Sequence, residues 1–540
     1  MKNPKSQKLS LRSTKPWEKR GDGVLRIRWT ALLAWLLVIG LTTWLATASA
    51  LFWFIKQSGG YTEVRFSHVV GLPFTLKAYR QAKGEFFLEQ GLLAAKENRW
   101  RDAFDLLQLG LPAQPNNEEA RMTLARIYLM ARRPDQAKTV FLEGLDYRSD
   151  NPSAYVRTVL SFLFEQQADD TVVEIADSLL ARGEDLPAEI RSTLVAAKVY
   201  ANFNRDRFDE ARKSFTGTRL ENSPQARFIE IRITWERGLR ESALISLRDL
   251  HARYPEDDEV YRTLEFYLRE QGSFDEARRL ALARQLAFPE KAEPYLDFIR
   301  LCAEESFESR RKAAVDDYLR LFGTDTSALF RLQTLAAQFG WSDLAWRIVS
   351  LVPSDKPREQ GAATALAIES LLTAKQFEEA GRRAAEQLGK EMALTEGERM
   401  IFTGLEGLAY FGRGVEAEGR ARINRVLSSG VVASTTLASL GRHLLSMGKT
   451  DVAEALFARA VDVDALNTSA LVALLQLKLE SRKLEDSLDL VERLPLVRKP
   501  SLQLMQDILG TLRSDRYLYV AGREPAIRSL ESRVRLIEQR

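Results

Sequence analysis

Two stretches decide the fold: RDAFDLLQLGLPAQP, from Arg101 to Pro115, and PDQAKTVFLEGLDYRSDNP, from Pro134 to Pro152. Laid one over the other, Ala103 and Ala137 stand 34 residues apart, and Leu107 with Phe141, Gly110 with Gly144, and Gly91 with Ala125 keep the same interval. Within each stretch apolar residues recur at helical spacing. A helical pattern returning at a fixed interval is the mark of a stacked array. The pattern returns in FDEARKSF (Ala211), ESALISLRDL (Ala243), FDEARRLAL (Ala277), FEEAGRRAA (Ala380), DVAEALFARA (Ala453) and LEDSLDLVERL (Ser487). Weaker units centre on Thr171, Ala314, Ala345 and Ala417, for twelve in all.

The residue types have a physical reason. Two antiparallel helices cross closely where both carry a small residue: Gly91, Ala125 and Gly441 on first helices, Ala103, Ala137 and Ala453 on second ones. Bulky residues four positions on, Leu107, Phe141, Leu247 and Phe457, fill the space against the next pair. One pair cannot bury both its faces, so stability comes from stacking.

With these residues the chain resembles the tetratricopeptide repeat family over residues 84–500. The family's positions stand at Leu124-Ala125-Tyr128, Ala137, Phe141 and Gly144, and again at Leu440-Gly441-Leu444, Ala453, Phe457 and Ala460. The resemblance implies an all-α fold: a right-handed α-solenoid of about twelve helix-turn-helix repeats, preceded here by one transmembrane helix. It also implies a non-catalytic protein that binds other proteins. The phase is least regular at Thr171 and after the 40-residue step that follows it. Residues 501–540 are expected to form capping helices, with Glu531–Arg540 as a charged outer face.

The layout resembles that of membrane-anchored bacterial repeat proteins. Residues 29–55 carry no charge and are long enough to cross a bilayer. Ala48-Ser49-Ala50 would suit signal cleavage, but the apolar run continues through Leu51–Ile55, which favours an uncleaved anchor. Residues 1–28 hold nine Lys/Arg against Glu18 and Asp22, a net of +7 within a chain of +4. The positive-inside rule then keeps this basic arm cytoplasmic and sends the repeats across an inner (cell) membrane, to the periplasm or its equivalent. Residues 56–83 read as a juxtamembrane stalk, with alternation over Tyr61–Val70 suggesting a short strand or an extended segment.

Charge and composition exclude several roles. A body of net −3 beyond the arm is unsuited to nucleic acid. One cysteine and three scattered histidines make no metal site, and no cofactor is expected. Ser446-Met447-Gly448-Lys449-Thr450 lacks the glycine, strand and spacing of a phosphate loop and reads as an interhelix turn. Gly404 and Gly407 read as close-packing positions, Gly412 and Gly414 as a turn. The acid pairs Asp169-Asp170, Asp257-Asp258 and Asp316-Asp317 read as solvated helix ends, and Cys302 as a buried structural thiol.

The expected functional surface is the concave face lined by first helices. Repeat phase puts Met122, Arg126, Leu129, Arg232, Trp235, Arg262, Phe266, Arg269 and Arg442 there. Arginine forks beside aromatic pockets suit an extended peptide with a carboxylate. The expected role is therefore a single-pass scaffold for other envelope proteins or exported peptides, held in lipid through residues 29–55. A membrane-tethered chaperone for newly exported chains is the alternative, and an enzyme with an unrecognised site the third. Oligomeric state and partner identity are not legible.

Overall fold

The computed structural model describes residues 17–19, 25–27, 29–59, 64–131, 133–146, 152–181, 186–389 and 394–538. Most of the basic arm, Tyr61 and the last two residues lie outside these. The chain forms two compact units, Met1–Leu163 and Phe164–Arg540.

In the first unit, β1 (Trp17–Lys19) pairs antiparallel with β2 (Leu25–Ile27), Trp17 opposite Ile27. Next comes α1 (Trp29–Gly59), one helix long and apolar enough to cross a membrane. Residues 66–70 are not a strand. They form α2 (Phe66–Val70), because Val64 and Val69 bury against Ala48 and Ile55 of α1, which a helical turn satisfies. Two helix pairs follow, α3 (Leu72–Lys96) with α4 (Trp100–Gly110) and α5 (Glu118–Met130) with α6 (Pro134–Gly144). Gly91 meets Leu107 where a Cβ would come within 2.9 Å of that side chain. Then α7 (Pro152–Glu165) begins, its Tyr155 hydroxyl donating to the Phe141 carbonyl at 2.9 Å beside Gly144.

The second unit takes up the end of α7 and α8 (Asp169–Leu180). The pairs α9 (Ala188–Asn204) with α10 (Phe208–Phe215) and α11 (Pro224–Glu236) with α12 (Arg240–Arg253) come next. After them stand α13 (Asp258–Glu270) with α14 (Phe274–Ala287) and α15 (Glu293–Glu304) with α16 (Glu308–Phe322). The array runs on through α17 (Thr326–Phe339) with α18 (Ser342–Leu351) and α19 (Pro357–Thr373) with α20 (Phe377–Leu388). It continues with α21 (Glu396–Gly412), α22 (Glu416–Ser429), α23 (Ser434–Ser446) and α24 (Thr450–Val463). The last pair is α25 (Thr468–Glu480) with a 3-10 turn, Leu484–Ser487, that runs into α26 (Leu488–Arg493). Two further helices follow, α27 (Leu502–Leu512) and α28 (Arg523–Glu538). In chain order this makes twelve helix pairs among the described residues, an α-solenoid.

One backbone feature marks every described turn within a pair. Asn98, Gln167, Asp206, Gly238, Gly272, Ser306, Gly340, Lys375, Gly414, Gly448 and Arg482 all have positive φ, and each stands two residues before its second helix. Where the turn closes, the next amide reaches back across it. Ser273 donates to the Leu268 carbonyl, Trp341 to Ala336 and Lys483 to Lys478, each at 2.8 Å. This is the Schellman way of ending a helix.

The turn corrects the phase of three pairs. The residue at the close crossing is Val172, not Thr171; Arg311, not Ala314; and Gly419, not Ala417. All three are buried, while Ala417 is exposed. Arg311 fills the place of a small residue by laying its guanidinium over the Trp341 ring at 4.1 Å. Gly419 leaves room for the Phe411 ring. Gly412 is likewise a contact rather than a bend, since a Cβ there would fall 2.2 Å from Phe377. Gly414 does shape its turn, at φ 81°.

The second unit also closes on itself. Arg498 donates to both oxygens of Asp169, at 3.0 and 2.8 Å, and to the Phe164 carbonyl at 2.9 Å. Arg205 donates to the Gln167 carbonyl at 2.9 Å and to the Leu496 carbonyl. Arg533 pairs with the fully buried Asp206 at 2.6 Å and donates to the Arg205 carbonyl. Two expectations fail here for one reason. Asp169 is not a solvated helix end but fully buried, and the C-terminal helix is not simply a charged outer face, because Arg533 turns inward. Ion partners some 330 residues away in sequence leave no local trace.

Candidate functional site

First helices line a run of three hollows in the second unit. One of about 580 Å3 is bordered by Arg232, Glu259, Arg262, Phe266, Tyr267 and Lys499. Arg262 and Phe266 are shared with the next, of about 620 Å3, which adds Glu265, Arg269, Asp297, Arg300 and Arg331. Thr334 and Gln338 lead on to a third, of about 550 Å3, holding Glu369, Ser439, Arg442 and His443. The groove therefore runs along α11, α13, α15, α17, α19 and α23.

The sequence places α13 here through its cap: Asp257 accepts the amides of Glu259 and Val260 at 2.9 and 3.1 Å, and Val260, Leu264 and Leu268 then face the core. That fixes Arg262, Phe266 and Arg269 on the groove side. Phe266 is 49% exposed, and beside it Arg262 is exposed too, its charge felt by Asp297. Arg269 pairs with Glu304 and stands 3.6 Å from Glu265. Arg232 is held in place, its guanidinium 4.3 Å over the Phe203 ring and 3.5 Å from Glu259. Arg442 reaches Ser469 at 3.4 Å.

Trp235 is a correction. It is 8% exposed and stacked on Tyr267 at 3.7 Å, with Arg240 over its ring, so it supports the groove wall rather than facing a ligand. Met122, Arg126 and Leu129 lie on one face of α5 in the first unit, with Arg126 exposed.

Sequence phase missed the acidic side of the groove. Glu265 is 6% exposed, and burial, reinforced by Asp297, pushes its carboxyl up to about 7. Burial likewise raises Asp297, which accepts from the Tyr261 hydroxyl at 3.1 Å. Glu369 moves the other way: hydrogen bonds from His443 and Ser439 outweigh its burial and lower it. Lys499, from the segment that closes the unit, pairs with Glu236 at the groove's first hollow. The result is a lining of alternating charges with one exposed aromatic step. It can hold an extended chain by its backbone and side-chain charges.

Cys302 is buried and Ser446–Thr450 is the α23–α24 turn, as the sequence reading held.

The Tetratricopeptide repeat family model matches residues 94–159. No curated protein matches the chain. Among solved structures, a tetratricopeptide repeat protein from Parabacteroides merdae is 15% identical, covering 47% of this chain and 98% of that one, with a TM-score of 0.28. Yeast Tom70 is 13% identical, covering 81% and 98%, with a TM-score of 0.27. Superpositions this loose carry no argument about binding. Residues 94–159 thus match the tetratricopeptide repeat, and helix pairs of the same kind follow them to the end of the array.

Proposed function

We propose that the chain is a non-catalytic scaffold anchored in the cell membrane by α1. In this reading residues 1–28 stay cytoplasmic and the repeats stand on the periplasmic side. There the groove of the second unit takes an extended segment of another envelope protein. The carrying observation is the side-by-side exposure of Arg262 and Phe266 where two hollows meet. Together they offer a carboxylate fork and an apolar contact, the pairing that hot spots favour. The charge-lined groove suits discrete partners better than the broad apolar surface a holdase needs.

The test is quantitative co-purification of the full chain in mild detergent, against a variant with Arg262→Ala, Phe266→Ala and Arg442→Ala. One or two near-stoichiometric envelope proteins, lost from the variant, are expected. A long tail of substoichiometric exported proteins would make the chain a chaperone instead. Full retention by the variant would move the binding surface elsewhere.

A further inference from the structure

We propose that residues 64–76 form a re-entrant hairpin seated in the bilayer leaflet on the repeat side of the membrane. This rests on the reading of α1 as a membrane span.

Depth is set by the length of the apolar run. Residues 29–55, at about 1.5 Å rise each, make a helix of roughly 40 Å, against a hydrocarbon core of about 30 Å. Wherever that core is set along the run, Trp44 lies roughly 6 to 16 Å inside its repeat-side face. The Trp44 indole donates to the Val70 carbonyl at 2.9 Å. Helix side chains lean toward the helix N-terminus, here away from the repeats, so Val70 is no shallower than Trp44.

The intervening contacts agree in direction. Phe52 meets Phe66 edge-on at 5.5 Å, eight residues along α1 from the Trp44–Val70 bond. The segment from Phe66 to Val70 therefore descends antiparallel to α1, turns at Gly71 and starts back as α3.

Backbone at this depth must be satisfied without water. The turn supplies several partners itself: the Gly71 amide donates to the Ser67 carbonyl, and the Phe74 and Thr75 amides donate to the Gly71 carbonyl. The Thr75 hydroxyl covers the His68 carbonyl at 2.8 Å, and Trp44 covers that of Val70. Apart from Ser67, the exposed side chains described between Phe66 and Leu76 are apolar. Phe74 is 95% exposed, with Phe66 and Leu76 beside it and Leu51, Trp53 and Phe54 exposed on the adjoining stretch of α1. In water this belt would cost apolar hydration; in lipid it continues the surface of α1. Arg65 stands at the start of the hairpin, and Lys77 and Arg80 follow it, all exposed, with stems long enough to carry their charges to the headgroups.

The test uses the full chain with Cys302→Ser, reconstituted in vesicles of phosphatidylcholine and phosphatidylglycerol. Single cysteines at Phe74→Cys and Leu76→Cys are compared with Leu37→Cys in mid-span and Glu85→Cys on the exposed part of α3. On outward-facing chains, a membrane-impermeant maleimide should react at positions 74 and 76 at least roughly tenfold more slowly than at 85, and detergent should restore the rate. Fast reaction at 74 and 76 with 37 still protected would place the hairpin in water and leave the anchor standing. Fast reaction at 37 as well would overturn the anchor itself. Protection at 74 that persists in detergent would mean shielding by protein, which also overturns the lipid assignment.

Discussion

Glu265 stands 3.6 Å from Arg269 and beside Asp297, with Arg300 and Glu304 near, on the inner wall of the groove. Its carboxyl titrates at about 7 in the folded protein, above its unfolded value near 4.5. Between those values the folded protein keeps a proton that the unfolded chain has lost. Stability is therefore greatest below the unfolded value and falls as pH rises through about 7, by up to roughly 3 kcal/mol. Thermal melting from pH 5 to 8 should show that decline, and Glu265→Gln should flatten it; an unchanged slope in the variant would assign the decline to other groups. At this scale helical phase puts Arg262, Phe266 and Arg269 on one face, and all three line one hollow. It failed for Trp235, because phase gives a direction but not what the neighbouring helix lays over it. Tyr267 was that cover.

The left-handed residue in each described turn within a pair is the recurring element of the array. Lys375 adopts φ 60° where Gly272 adopts 74°, and a Cβ at Gly272 would meet nothing within 4 Å. The cost of a side chain at this position is thus conformational. Lys375→Gly should stabilise by about 0.5–1 kcal/mol, and Gly272→Ala should destabilise by about 1 kcal/mol. Urea unfolding of the two variants checks the pair, and movement in the same direction would refute the conformational account. The helix pairs themselves were legible at most crossings that a small residue marks, as at Ala103, Ala137 and Ala453, though not at Gly419, where Ala417 competes. The phase slipped at Thr171, Ala314 and Ala417, where the crossing holds Val172, Arg311 or Gly419. A valine or a stacked arginine performs the small residue's packing without its signature. The turn amide bond, which keeps the phase, is backbone and invisible to composition.

Across the second unit, the closing contacts join Asp169, Arg205 and Asp206 to Leu496, Arg498 and Arg533. Asp169 is fully buried and, among the described residues, keeps only Asn204 and the more distant Arg205 as side-chain partners once Arg498 is gone. Arg498→Ala should cost on the order of 3 kcal/mol, the scale for breaking a buried pair. Hydrogen exchange should quicken together in residues 164–181 and 494–512 and stay unchanged in α17. Equal protection in wild type and variant would show that the closure does not hold the unit. The same segment brings Lys499 to the edge of the groove, so the closure and the groove share a boundary.

The sequence by itself determined the helix-pair array, the apolar helix around residues 29–55 and the helix face shared by Arg262 and Phe266. Those depend on contacts between near neighbours in the chain, which leave a periodic trace in residue type. Only the tertiary structure decided the burial of Asp169 and Arg533, the cover over Trp235, the acidic wall around Glu265 and the fold-back of α2 along α1. The closing contacts arise from small rotations accumulated over many pairs, and the others from side chains on separate elements meeting in space. No local spacing encodes either.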